Sequence, residues 1–297
     1  MKKQMPYKII ILTSHGGIYG QGHYMRMLLL NEHLNNSDFC ESILLYEDSS
    51  SGNKIDYAKI AQMKPKLIIR DMRDSNEVEI LSLQKISPVL VIDDSGEGRK
   101  AASFKIDLLP NISQTSEHYS PEMFLYGHNF YRELQKIKDQ DIIKKDRIFI
   151  YIGFDDSLTW HAIKKILPKD VEVLFAINNE ICLQNKTKLN INYAEAIISS
   201  KIIISHFGLM MYEADICSCI KIAINPTKYH SDLCNHAPFK IYNLGEFNKI
   251  NLSKAKEIIS SLTPLPHSEH VKPAELLGII ENSLALFSSF IKTIIYP

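Results

Sequence analysis

Short apolar, β-branched runs alternate with helix-length segments along the whole chain. Lys8–Thr13, Ile43–Tyr46, Leu67–Arg70, Val89–Asp93 and Ile106–Leu109 read as strands of a parallel sheet buried on both faces. Between the first two, Met27, Leu28, Leu30 and Leu34 take helical spacing. A more polar stretch from Phe130 to Asp146, with Arg132, Glu133, Lys136, Lys138, Asp139, Lys144 and Lys145, breaks the alternation. It restarts with Arg147–Ile152, Val171–Ile177, Ile202–Ser205 and Lys221–Ile224, and a long helical pattern over Pro273–Ile295 closes the chain. This order predicts an α/β fold of two Rossmann-like domains facing a central cleft. The domains are expected at 1–138 and 139–297, with the last helix able to pack back on the first.

Ligands of open α/β sheets sit beyond the carboxyl ends of the strands. Four groups of chemistry-bearing residues fall there. The first strand runs into Ser14-His15-Gly16-Gly17-Ile18-Tyr19-Gly20-Gln21-Gly22-His23-Tyr24-Met25-Arg26. Glycines such as Gly20 and Gly22 let the backbone approach a ligand, and the first-turn N–H groups of the following helix suit a phosphate. His23 opens that helix, and Arg26 lies one turn further on the same face. The same pattern also describes a strand–helix turn with a capping histidine. It is not the dinucleotide fingerprint, because Met25 stands at the third glycine position.

Asp93-Asp94 closes the fourth strand, where a carboxylate can orient a base or simply satisfy turn amides. Gly153-Phe154-Asp155-Asp156-Ser157 follows the first strand of the second half. Ser205-His206-Phe207-Gly208-Leu209-Met210-Met211-Tyr212-Glu213 is a further strand–turn–helix. Its helix N-terminus could take a diphosphate, and Glu213 could accept from a ribose, although the Met pair also fits a core. Tyr229, His230 and Asp232 follow the next strand.

Charge and composition narrow the classes. Lys plus Arg and Asp plus Glu are both 34, so nothing favours bulk nucleic-acid binding. No stretch reads as long enough to span a bilayer, and the N-terminal apolar run is too short for a signal peptide. Five scattered cysteines lack zinc-site spacing and read as reduced, mostly buried thiols of a cytoplasmic protein. No metal cluster or cofactor motif is visible, so neither is expected.

Together the motifs resemble the glycosyltransferase-B superfamily, and within it the UDP-2,4-diacetamido-2,4,6-trideoxy-β-L-altropyranose hydrolases of pseudaminic acid biosynthesis. The family's GxGHxxR loop is matched by Gly20-Gln21-Gly22-His23-Tyr24-Met25-Arg26. Its strand ending in two aspartates before a basic residue is matched by Val91-Ile92-Asp93-Asp94 and Arg99. Its "DLLLN"-like strand is matched by Asp107-Leu108-Leu109-Pro110-Asn111, and its "YG" by Tyr126-Gly127 ahead of Tyr131-Arg132. The likeness covers most of the chain. It departs at Gly153-Phe154-Asp155-Asp156, where the family has a GG-S-D turn. Phe207, Leu209, Met210 and Met211 replace a glycine and small hydroxyl residues, and Tyr229-His230 stands for an NQ pair.

The resemblance implies a nucleotide-sugar hydrolase with His23 as the base that activates water and a second domain that binds UDP, with Glu213 on the ribose. From the residues themselves, Asp94 is the second expected catalytic group, and Gly20, Gly22, Arg26, Gly153, Gly208, Leu209, Met210, Glu213 and His230 are the expected nucleotide and phosphate contacts. A glycosyltransferase of the same fold and a non-catalytic nucleotide-sugar-binding protein are the alternatives. The expected partner is the nucleotide sugar itself, with no nucleic acid and no membrane span.

Overall fold

The computed structural model describes residues 6–16, 21–48, 51–72, 74–110, 118–151, 163–177, 180–184, 187–262 and 269–296. The chain divides into two compact units, one of Met1–His128 with Ile280–Pro297, the other of Asn129–Ile279.

The first unit is built on β1 (Tyr7–His15), β2 (Cys40–Asp48), β3 (Leu67–Asp71), β4 (Val89–Ile92) and β5 (Phe104–Ile106), all parallel, in the order β2-β1-β3-β4-β5. Ile9, Ile10, Ile11 and Leu12 are all fully buried, as a central strand covered on both faces requires. Helices α1 (Gly22–Asn35), α2 (Tyr57–Met63) and α3 (Glu77–Gln84) connect the strands. Met27, Leu30 and Leu34, spaced by three and four, are among the residues α1 buries. Because β2 and β3 flank β1 on opposite sides, the strand order reverses at β1, and the carboxyl ends of β1 and β3 border that switch point. This is where such sheets place ligands.

The fifth strand lies earlier than expected, at Phe104–Ile106 rather than Ile106–Leu109. Asp93 is the reason. Its Oδ1 accepts from the N–H groups of Leu108 and Leu109 at 2.7 and 2.8 Å, so a side chain takes donors a sheet ladder would have used.

The second unit starts within α4 (His128–Lys136) and contains β6 (Ile142–Ile143), β7 (Lys145–Tyr151), β8 (Glu172–Ile177), β9 (Glu180–Leu183), α5 (Tyr193–Ile198), β10 (Ser200–Ser205), α6 (Leu209–Ile216), β11 (Ile220–Asn225), α7 (Lys228–Asn235), β12 (Tyr242–Glu246), α8 (Leu252–Ser261) and β13 (His270–Val271). Its main sheet runs β12-β11-β10-β7-β8-β9 and is parallel except for β9; β6 and β13 form a separate antiparallel pair. The switch point lies between β7 and β10, whose ends meet in register at Tyr151 and Ser205. The hairpin strand β9 and the edge strand β12 have no counterpart in the sequence reading.

The last helix, α9 (Pro273–Ile295), overturns one expectation: its 23 residues are long and apolar enough by length and composition to cross a bilayer. Its mean hydropathy reaches 1.4, yet 44% of that window is buried within the protein. The buried set Leu276, Leu277, Ile280, Leu284, Phe287 and Ile291 forms one stripe, the spacing of a helix packed on a core. Ser283 Oγ on that stripe donates to the carbonyl of Phe124 at 2.5 Å. All five cysteines are free and buried.

Candidate active site

The sheet of the first unit sets up the site through its pleat. Thr13 on β1 lies opposite Asp71 on β3, both at the carboxyl ends of their strands. Helix α1 begins beside them. Its N-cap residue Gln21 makes no side-chain capping bond, so the first-turn N–H groups of Gly22 and His23 are not capped from there.

Within the first turn of α1, His23 and Arg26 are neighbours one turn apart and converge on Asp71. His23 Nδ1 donates to Asp71 Oδ1 at 2.8 Å. Arg26 grips the same carboxylate with two bonds, Nε to Oδ2 at 2.6 Å and Nη2 to Oδ1 at 2.5 Å. Its Nη1 lies 2.8 Å from Asp93 Oδ2, an ion-pair contact without hydrogen-bond alignment.

Burial pushes the Asp71 carboxyl up, but Arg26 and then His23 more than offset this and hold it at about 2. Burial works against the Arg26 charge, yet Asp71 and then Asp93 keep its pKa above the ordinary value. Asp93 goes the other way. Burial raises its carboxyl, Arg26 only partly offsets that, and Asp71 adds to it.

An ionised Asp71 can only accept, so His23 carries its proton on Nδ1. In the neutral ring Nε2 is then the nitrogen with the lone pair, and among the described residues it makes no hydrogen bond. The His23 side chain keeps 25% of its exposure while Asp71 keeps none. The arrangement is an imidazole oriented by a buried carboxylate, with a quarter of its side chain exposed.

Several expected roles change. Arg26 is only 2% exposed, with its donors directed at Asp71 and Asp93, so it holds the carboxylates rather than a phosphate. Asp94, expected beside His23, is 0% exposed and points to the other face of the sheet. Its Oδ1 accepts from Ser75 N at 3.0 Å and Gly96 N at 2.8 Å, and Arg70 Nη1 lies 3.4 Å from Oδ2. Backbone geometry makes the choice: Asp93 adopts φ +51°, a left-handed conformation that aspartate tolerates. The following turn is so tight that a Cβ on Gly96 would lie 2.2 Å from the Ser75 carbonyl oxygen. Arg99 and Asp107, both in motifs of the resemblance, form a buried two-bond pair at 2.7 and 2.8 Å. Asp71, absent from the sequence reading, is the residue that joins the site. Its signal is a carboxylate closing an apolar run next to the first strand. Gly20 and Gly153, with the whole turn Gly153–Ser157, lie outside the described residues.

In the second unit, Gly208 is the N-cap of α6, and Leu209 opens the helix. Met210 is buried in the core, so only its backbone N–H remains a candidate phosphate donor. Glu213 is 2% exposed, and its Oε2 accepts from the Tyr193 hydroxyl at 2.9 Å. Burial, and then Glu213, hold the Tyr193 phenol well above its usual range, so it stays a donor. Tyr193 also meets the Tyr151 ring edge-on at 5.8 Å, at the switch point of this sheet.

Helix α7 starts nearby on the same sheet edge, where Thr227 Oγ1 lies 2.8 Å from His230 Nδ1. His206 faces His230 with ring centroids 6.4 Å apart. Burial, then His230, push the His206 imidazole down to about 4. A histidine with a depressed folded pKa stabilises the fold fully above its unfolded value and loses that contribution as pH falls toward the folded one. Melting temperature is therefore expected to drop between about pH 6.5 and pH 4, and His206→Asn to flatten that slope. An identical pH slope in the variant would remove the assignment. Among the described residues no cluster of three or more His, Cys, Asp or Glu side chains could hold a metal ion.

No family model matches the sequence, and no curated protein matches it. Solved structures do match in fold. UDP-GlcNAc 2-epimerase from Neisseria meningitidis bound to UDP-GlcNAc is 12% identical, covering 96% of this chain and 100% of its own, with a TM-score of 0.54. The Methanocaldococcus jannaschii UDP-GlcNAc 2-epimerase in complex with UDP-GlcNAc and UDP is 10% identical, over 96% and 99% of the two chains, at 0.56. A spinosyn rhamnosyltransferase complexed with thymidine diphosphate is 9% identical, over 95% and 99%, at 0.54. The α/β architecture with parallel sheets is thus that of glycosyltransferase-B-like proteins.

Proposed function

We propose that this chain hydrolyses a nucleotide-activated amino sugar of the UDP type, releasing free sugar and nucleoside diphosphate for surface-glycan synthesis of the pseudaminic acid kind. The observation that carries the reading is the His23–Asp71 pair at the switch point of the first sheet. His23 Nε2 takes a proton from water as the water oxygen bonds to the anomeric carbon. The anomeric C–O bond breaks, and its electron pair leaves with the diphosphate. Asp71 holds the imidazole in the productive tautomer and stabilises the imidazolium that forms. In this reading the N–H groups at Gly208–Met210 are donors for the nucleotide's diphosphate. Two fold neighbours were solved with UDP-GlcNAc and one with thymidine diphosphate, which supports a nucleoside diphosphate ligand. The five free buried thiols fit a cytoplasmic setting.

The rhamnosyltransferase among the fold neighbours favours transfer as the second reading. One assay separates the two. UDP-, CMP- and GDP-sugars are incubated with the protein, without and with candidate acceptors, and nucleotide release is followed. Release without acceptor supports hydrolysis; release only with acceptor replaces it by transfer. A shifted melting temperature with no release leaves only binding.

The nucleotide end has its own test. In this reading Glu213 accepts from a ribose once Tyr193 yields one oxygen. Glu213→Gln keeps the shape and is expected to weaken UDP by about ten- to a hundredfold, the value of a charged acceptor. Calorimetry with UDP on parent and variant reads this directly. Equal affinity in both proteins rejects the ribose role.

A further inference from the structure

The amino-terminal edge of the second unit's sheet, opposite the edge of Tyr151 and Ser205, holds a buried amine against a buried thiol. Lys144 sits between β6 and β7 and is 3% exposed. Cys219 directly precedes β11 and is 4% exposed. The sheet brings them together, because β7 and β11 flank β10 and all three strands start at this edge. Lys144 Nζ donates to the carbonyl of Ser200, the first residue of β10, at 3.2 Å, and lies 3.1 Å from Cys219 Sγ.

The two other buried lysines of this unit have carboxylates. Lys201 pairs with Asp146 at 2.5 Å and Lys221 with Asp215 at 2.7 Å. Lys144 has no carboxylate in ion-pair contact among the described residues; its partners are that carbonyl and the sulfur. A buried ammonium without a counter-charge is costly. Two arrangements relieve it: a neutral amine beside the thiol, or the ammonium beside the thiolate. A proton moving across the one contact interconverts them, and each holds a nucleophile against the other group. Burial pushes the Cys219 thiol up, and Lys144 works against that.

The cover over the sulfur is thin. Ser218 is exposed between Cys217 and Cys219, which are both buried. Its φ of +56° lies in the left-handed region that serine seldom occupies. Two backbone bonds close this turn, Ser218 N to Asp215 O at 2.8 Å and Cys219 N to Ala214 O at 2.9 Å. Local opening of that turn admits a small oxidant to Sγ.

We propose that Cys219 and Lys144 join in a reducible S–N bridge when the protein meets hydrogen peroxide. The sulfur attacks one peroxide oxygen and the O–O bond breaks. The other oxygen leaves as hydroxide and takes the thiol proton to become water, which leaves a sulfenic acid. The neutral Lys144 amine then attacks that sulfur. The S–O bond breaks, and the departing hydroxide takes a proton from nitrogen as a second water. Sulfur is oxidised by two electrons and the peroxide is reduced by two. The product is a sulfenamide that staples the start of β7 to the start of β11 across β10, and a thiol reductant reverses it. The bridge does not depend on the hydrolase reading, since its atoms lie at the other end of the strands.

The test treats the full chain with hydrogen peroxide, alkylates the remaining thiols and maps the peptides by mass spectrometry. A pair joined through Lys144 and Cys219 is expected, two hydrogens lighter than its separate peptides and parted by dithiothreitol. The link connects positions 75 residues apart. It is therefore expected to raise the melting temperature by on the order of 5 °C, again reversibly. Lys144→Arg keeps the charge but lacks the nucleophilic amine, so peroxide is expected to give no link and no shift. Cys219→Ser is the second variant, with the same expectation, if the first does not fold. An unmodified Cys219, a Cys217–Cys219 disulfide, or an equal shift in either variant overturns the proposal.

Discussion

Asp71→Asn is expected to reduce nucleotide release from the proposed substrate by about two to four orders of magnitude. The substitution also weakens the fold. The carboxylate accepts three bonds, one from His23 and two from Arg26. A carboxamide accepts at only one end and sets an N–H₂ donor against donors at the other. His23 then loses the acceptor that holds its proton on Nδ1, and its Nε2 is no longer the basic nitrogen by default. Arg26, 2% exposed, is left with Asp93 alone.

Removing one partner of a buried ion pair costs about 3–5 kcal/mol. Asp93 remains close enough to offset part of this, so the low end is expected in chemical denaturation. The pH dependence identifies the cause. Asp71 is held at about 2, below its ordinary value, so its stabilisation is complete above about pH 4 and disappears as pH falls through the folded value. The variant is expected to lose that acid transition. Parental turnover in Asp71→Asn would show that the pair is only structural.

How far the sequence reaches can be judged at particular residues. β1, β3 and β4 are visible as apolar runs because both their faces are covered; β2, a part-buried edge strand, shows a shorter run, and the observed bounds of all four differ from the expected ones only at the ends. His23 and Arg26 are visible because a glycine-rich turn and a helix start are local features. Their partner is not. Asp71 is 48 residues from His23 and meets it only because β3 pairs with β1, which brings its carboxyl end to the start of α1. Nothing in the run Leu67–Arg70 states which strand lies beside it.

The same limit explains the Asp93-Asp94 pair. Sequence gives two adjacent carboxylates at a strand end. Which one faces Arg26 depends on the positive φ at Asp93 and on the amides of Ser75 and Gly96 that capture Asp94. Glu213 shows a milder version. Its place in α6 is legible from Gly208 onward, but its bond to Tyr193 joins elements that are separate in sequence. The last helix is legible over its observed bounds. That it is long and apolar enough to cross a bilayer is not, because its serines and charges interrupt the apolar run.

His23→Ala is the most direct test of the chemistry, and it is expected to separate catalysis from folding. Loss of the general base lowers turnover by about two to four orders of magnitude. The imidazole is one of three donors to Asp71, it keeps a quarter of its exposure, and Arg26 still grips both carboxylate oxygens after its removal. The stability loss should therefore be only about 1 kcal/mol. UDP affinity should be unchanged if the nucleotide is held by Glu213 and the N-terminus of α6. The double variant His23→Ala/Asp71→Asn adds the decisive comparison. If Asp71 acts through the imidazole, the double variant turns over no more slowly than His23→Ala alone, because groups that work as a unit are not additive. If Asp71 acts on the substrate independently, the two losses multiply. Full activity in His23→Ala, with the fold intact, would leave the histidine as a helix-opening residue and take the hydrolase reading with it.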